Sequence, residues 1–151
     1  MSRHLLAIRH LEPTQITEIL NTAAEFKELV TGGGQVEQRR HRSVGLLFFE
    51  NSTRTRVSFE QASYYLGYHV VNFSGAGSAM CKGETLKDTI LTLRYEQLEA
   101  LVMRHNSSGA PALAARYFGG PVINAGDGQH EHPTQALGDA LTILENKGDI
   151  Q

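Results

Sequence analysis

The chain has 151 residues, 40% of them hydrophobic and 20% charged, with 15 glycines and no tryptophan. That length suits one domain with a substantial core, and the composition excludes the disordered, fibrous and membrane classes. A formal net charge of −2 argues against nucleic-acid or membrane partners, and the single Cys81 cannot close an intrachain disulfide, which fits a reducing compartment.

At the N-terminus, Met1 to His10 hold too short an apolar core for a signal peptide, and no apolar run approaches the ~18 residues of a membrane span, so a cytoplasmic protein is expected. From Leu11, apolar residues at three- and four-residue spacing (Ile16, Ile19, Leu20, Ala23, Phe26, Leu29, Val30) predict an amphipathic helix that ends at Gly32-Gly33-Gly34. The polar stretch to Ser43, with Arg39, Arg40, His41 and Arg42, reads as a solvated connector rather than an anion site.

Val44 to Phe49 is a buried-type strand, and a helix runs from the hydroxyl- and arginine-rich turn after it to about Leu66. Tyr68 to Phe73 is the second strand, followed by a small-residue loop over 74–83 and a helix from Glu84 to about Tyr95. Ala100 to Arg104 is the third strand and Ala110 to Phe118 a short helix. Val122 to Ala125 is the last strand, with Gly126-Asp127-Gly128 breaking it, and Pro133 opens the final helix. One helix, then strand and helix four times over, with continuously apolar strands, predicts a single α/β domain. Its core is a parallel four-stranded, doubly wound sheet with helices on both faces.

Ligands in such sheets bind outside the carboxyl ends of the strands, and the notable polar residues of this chain follow those ends. Glu50-Asn51-Ser52-Thr53-Arg54-Thr55-Arg56 comes after the first strand. A helix N-terminus with hydroxyls and a guanidinium can hold phosphate, each charge-assisted bond being worth roughly 1.5–3 kcal/mol. The competing reading is a capped helix with solvated arginines. Gly75 to Met80 lacks the third glycine of a dinucleotide fingerprint, and Gly77 to Lys82 lacks a P-loop ending, so the loop is read as carrying Lys82 towards a ligand some distance off. His130-Glu131-His132 beside Asp127 lacks the helix-spaced histidine pair of zinc hydrolases, so no metal is expected. His132, fixed by Pro133, instead offers an imidazole N–H to a substrate oxygen, with the Gln135 amide one turn on. Phosphate held by Ser52 to Thr55, beside a carbonyl polarised by Thr55, Arg104, His132 and Gln135, describes an acyl phosphate. The absence of a nucleophile-base pairing favours direct transfer to a second substrate.

Phe48 to Arg56 resembles the carbamoyl-phosphate signature of the aspartate and ornithine carbamoyltransferases. Lys82-Gly83-Glu84-Thr85, Val102-Met103-Arg104-His105, Asn124 to Gly128 and His132-Pro133-Thr134-Gln135 resemble the aspartate branch of that family. The resemblance implies transfer of the carbamoyl group from carbamoyl phosphate to L-aspartate, without metal or organic cofactor. It gives phosphate to Ser52, Thr53, Arg54 and Thr55, and the carbamoyl group to Arg104, His132 and Gln135, with Arg104 and Thr55 on the tetrahedral oxyanion. It also implies a homotrimer in which Ser78 and Lys82 enter the neighbouring site, and possible regulatory or dihydroorotase-like partner chains. Finally, it implies that residues 1–151 are the carbamoyl-phosphate domain, that the aspartate-binding domain is absent from this chain, and that the chain alone lacks turnover.

Overall fold

The computed structural model describes residues 3–74 and 85–149. In chain order the elements are α1 (Pro13–Thr31), β1 (Ser43–Phe48), α2 (Thr53–Tyr65), β2 (His69–Ser74), α3 (Leu86–Tyr95), β3 (Ala100–His105), α4 (Ala110–Phe118), β4 (Val122–Asp127) and α5 (Pro133–Lys147), with a 3₁₀ turn at Ile8–His10. The strands are all parallel, in the order β2-β1-β3-β4. From β1 the chain passes to the edge strand β2, whereas from β3 it passes the other way, to β4. The carboxyl ends of β1 and β3 are therefore the topological switch point, where open α/β sheets leave a crevice.

Alternate residues of each strand face opposite sides of the sheet. Leu47, Leu101, Met103 and Val122 share one core cluster with Ile90 and Leu93 of α3 and Ala110, Ala114 and Phe118 of α4. Val44, Leu46, Phe48, Val102 and Ala125 form the cluster on the other face, where Phe59 of α2 packs, while α5 packs on β4 and α1. With helices on both faces, most positions of β1, β3 and β4 are buried, which is why those strands read as largely apolar runs, whereas the edge strand β2 is only partly covered. Gly45 is the exception that makes room: a Cβ there would lie 2.8 Å from Leu101 Cδ2 and 2.9 Å from Leu98 Cδ1.

Three local departures from the sequence reading have physical causes. The third helix begins at Leu86 because Thr85 is its N-cap, in a reciprocal capping box with Asp88. The last strand does not stop at Ala125 but continues through Gly126 and Asp127; Gly126 takes φ 112° and the register against β3 shifts between Met103 and His105, so the glycine bends the ladder instead of ending it. The N-terminal segment, to which periodicity assigns no element, lies along β4: Leu5 N–H donates to Val122 O at 3.0 Å and Asn124 N–H to Leu5 O at 2.8 Å. The basic connector is indeed remote from the switch point, Arg42 pairing with Glu99 at 2.9 Å at the amino ends of the strands. Among the described residues no helix is long and apolar enough to cross a membrane.

Candidate functional site

Ser52 is the N-cap of α2, with an extended backbone and no side-chain cap bond. Its hydroxyl instead pairs with Thr55 Oγ1 at 2.9 Å. Arg56 N–H is bonded to the Ser52 carbonyl at 3.1 Å, leaving the N–H groups of Thr53, Arg54 and Thr55 as the helix's orphan donors. A helix start without its side-chain cap presents these donors and the positive end of the helix dipole to an anion. The two arginines of the turn part company: Arg54 lines the cleft, whereas Arg56 stacks over the Phe48 ring at 5.5 Å.

Arg104 sits at the end of β3, the neighbouring strand. Its Nη1 donates to Ala125 O at 3.0 Å and its Nη2 to Glu50 Oε1 at 3.1 Å; Nε is buried with no hydrogen-bond partner. Two hydrogen bonds thus fix the guanidinium in place, while the unpaired buried Nε–H costs about 1–3 kcal/mol. Gly126 allows this close packing: a Cβ there would stand 2.5 Å from Arg104 Nη1 and 3.4 Å from His132 Cδ2.

His132 is the N-cap residue of α5, with Nδ1 3.3 Å from Thr134 Oγ1. Burial, then the charge of Arg104, holds its pKa below the ordinary histidine value, Asp139 opposing. The imidazole is therefore neutral near pH 7 and keeps an N–H for an uncharged carbonyl oxygen. Gln135 is one turn further along α5, and its Nε2 donates to Asp139 Oδ1 at 2.8 Å.

A cleft of about 810 Å³ brings Ser52, Arg54, Thr55, Arg104, His132 and Gln135 together, with Phe59 on its wall. Thr53 stands at the helix start but does not line it. An adjoining recess of about 250 Å³, between Glu50, Arg104 and the turn 126–132, shares Arg104 and His132. Ser78 and Lys82 lie outside the described residues. Among those described, no group of three or more His, Cys, Asp or Glu side chains could hold a metal ion. His130, Glu131 and Asp127 satisfy one another or the N-terminal segment instead.

What the residues alone did not reveal is the support beneath the turn. Asp127, 2% exposed, accepts from Gly109 N–H at 2.7 Å, Asn124 Nδ2 at 2.8 Å, Glu131 N–H at 3.3 Å and His130 Nδ1 at 3.1 Å. Burial alone would raise its pKa, but these donors together leave it below the usual carboxylate value. In the sequence this cluster showed as the motif Asn124 to Gly128 and as polar Asn124 inside an otherwise apolar strand, without the contacts that join them.

This arrangement has close counterparts. The family model for the aspartate/ornithine carbamoyltransferase carbamoyl-P binding domain matches residues 3–145. Over 150 residues the chain is 49% identical to the aspartate carbamoyltransferase catalytic subunit of a Roseiflexus species, covering 99% of this chain and 47% of that protein. With the corresponding subunit of Acidiphilium cryptum it shares 51% identity over 150 residues, covering 99% and 48%. The Trypanosoma cruzi aspartate transcarbamoylase crystallised with carbamoyl phosphate and aspartate superposes with a TM-score of 0.90 at 38% identity, covering 97% of this chain and 45% of that one. The catalytic subunit of the M. jannaschii enzyme gives 0.88, also at 38% identity, covering 97% and 48%. The chain thus spans about half the length of the curated relatives it matches. With a sheet, a switch-point cleft and a matched model that run through nearly the whole chain, the protein belongs to the aspartate/ornithine carbamoyltransferase family, in its carbamoyl-phosphate-binding domain.

Proposed function

We propose that the chain binds carbamoyl phosphate as one domain of an aspartate carbamoyltransferase, which forms N-carbamoyl-L-aspartate and phosphate for pyrimidine synthesis. The observation that carries this reading is that the uncapped start of α2 and the Arg104–His132 pair open onto one cleft. Support for the aspartate branch comes from relatives of that name and from the T. cruzi enzyme seen with carbamoyl phosphate and aspartate.

In this reading the phosphate lies on the α2 N–H groups, the hydroxyls of Ser52, Thr53 and Thr55, and Arg54. The carbamoyl group turns towards Arg104, His132 and Gln135. The deprotonated amine of L-aspartate attacks the carbonyl carbon, whose oxygen becomes an oxyanion held by Arg104 and Thr55. Collapse breaks the carbon–oxygen bond to phosphate, which leaves with the electron pair and takes up the proton that the attacking nitrogen gives up. Each preorganised donor on the oxyanion is worth ~10²–10³ in rate. No step needs a metal or an organic cofactor.

The same proposal assigns Ser78 and Lys82 to the neighbouring site of a homotrimer and places the protein in the cytoplasm. Regulatory or dihydroorotase-like chains are the partners it allows for the parent enzyme. Residues 1–151 form the carbamoyl-phosphate domain, and the groups that orient aspartate belong to a second domain outside this sequence. A second reading is a phosphate-binding or assembly module without turnover, for which the uncapped start of α2 would be enough. Orienting the second substrate supplies much of the rate of such transfers.

Calorimetry with inorganic phosphate and with phosphonoacetamide, a stable mimic of carbamoyl phosphate, tests the site. Both should bind, and Arg54→Ala should weaken both by about 10-fold or more, the value of one charge-assisted contact. Unchanged phosphate affinity in Arg54→Ala would remove the α2 assignment. The chain by itself is expected to form no carbamoyl-aspartate; turnover that disappears in Arg54→Ala would show the single domain to be sufficient.

A further inference from the structure

We propose that Asp127 and Asn124 are positioning residues that set Arg104 and His132 for the carbamoyl group, an inference that rests on the carbamoyl-phosphate reading above. Both side chains are buried, Asn124 completely. Neither lines the 810 Å³ cleft, so any effect on a ligand there passes through other residues.

The connection to Arg104 runs through one peptide unit. Gly126 N–H donates to Asn124 Oδ1 at 2.9 Å, and the carbonyl of the same peptide, Ala125 O, accepts from Arg104 Nη1 at 3.0 Å. Holding one end of that planar unit fixes the direction of the other. Asn124 is held in turn by its Nδ2, which donates to Asp127 Oδ1 at 2.8 Å and to Leu6 O at 2.9 Å. The connection to His132 runs along the chain. Asp127 closes the turn before it with both backbone and side chain: its N–H meets Glu131 O at 3.3 Å, and its Oδ1 takes Glu131 N–H at 3.3 Å. His132 is the next residue, so the turn decides where its imidazole starts.

Every group facing Asp127 is a donor, and only a carboxylate can accept from all of them. An asparagine amide would turn an NH₂ against Gly109 N–H or against Asn124 and Glu131. His130 fits the same logic. A guanidinium cannot accept, so its 2.7 Å contact from Arg9 Nη2 assigns the lone pair to His130 Nε2 and the proton to Nδ1, which donates to Asp127. The carboxylate is thus the common acceptor of α4, β4, the turn and a histidine.

The two halves of the ligand separate this role from a merely structural one. Phosphate alone tests the α2 start, whereas phosphonoacetamide also engages Arg104 and His132. In Asp127→Asn, phosphonoacetamide affinity should fall by about 10–100-fold, the size typical of lost supporting contacts behind a ligand-binding residue, with phosphate affinity changed less than about twofold. Equal losses for both ligands, or no loss, would overturn the inference. If the wild-type chain does not bind phosphonoacetamide more tightly than phosphate, the carbamoyl-phosphate reading fails instead. Should Asp127→Asn not fold, His130→Ala removes one donor at a part-exposed position. It should show a smaller loss confined to phosphonoacetamide, and an unchanged ratio of the two affinities would count against the positioning role.

Discussion

At Gly126 the backbone conformation and the space around one absent methyl make the same demand. The residue has φ 112°, and a Cβ would collide with Arg104 Nη1. Gly126→Ala should therefore cost about 1–3 kcal/mol of stability for the strained backbone. It should also weaken phosphonoacetamide binding, because the clash falls on a guanidinium that must keep its place. Urea unfolding measures the first effect and calorimetry the second; a fully stable variant with unaltered binding would mean that neither constraint operates. The cleft-lining residues of this site were legible in the sequence because their chemistry is visible one residue at a time: Ser52, Thr55, Arg104 and His132 lie at or just after strand ends. Asn124 and Asp127 were not, since their roles depend on partners such as Leu6, 118 residues from Asn124. Thr53, also in the signature, stands at the helix start without lining the cleft wall.

Among the elements, a mid-strand glycine has a packing reason. The Gly45 position faces Leu98 and Leu101, and Leu101 is fully buried. Leu101→Ala should cost about 2–5 kcal/mol, the range for truncating a buried leucine. Gly45→Ala alone should destabilise through overpacking by about 1–3 kcal/mol. Combined, the added methyl partly fills the space left by the leucine, so the double variant should be more stable than the sum of the single losses. Strict additivity in urea midpoints would show that the two sites do not share that space. Element types were readable because apolar runs and three-to-four spacing are local signals. Boundaries were less so, because a bulge at Gly126 or a capping box at Thr85 depends on neighbours that periodicity does not contain.

For the whole molecule, strand order was the decisive unknown, since the sequence gives alternation but not which strands touch. Order β2-β1-β3-β4 is what sets the ends of β1 and β3 side by side. Its pH response follows from buried histidines. His132 and His105 both have pKa values below the ordinary 6.5, burial being the main cause in each. Each is held neutral when folded, so the unfolded chain takes up protons first as pH falls. Their contribution to stability is complete above about 6.5 and is lost as pH drops below it towards the folded values. Asp127 acts in a lower window: its depressed pKa contributes above the ordinary 3.8 and fails only as pH falls through the folded value. Urea midpoints should therefore stay level from about pH 8 to 7 and decline between about pH 6.5 and 5. A midpoint rising over that acidic interval would contradict the sign.

The contact of Leu5 and Leu6 with β4 also bears on biosynthesis. These residues are translated well before the strand they lie against, which is made more than a hundred residues later, Leu6 meeting Asn124 across a separation of 118. Closing so long a loop is slow and gains nothing until its far end exists. The earlier-made segment must therefore wait, undocked, while β1 to β3 are translated. Leu5 and Leu6 are thus late to find their place, and they complete the hydrogen bonds of Asn124 behind the site.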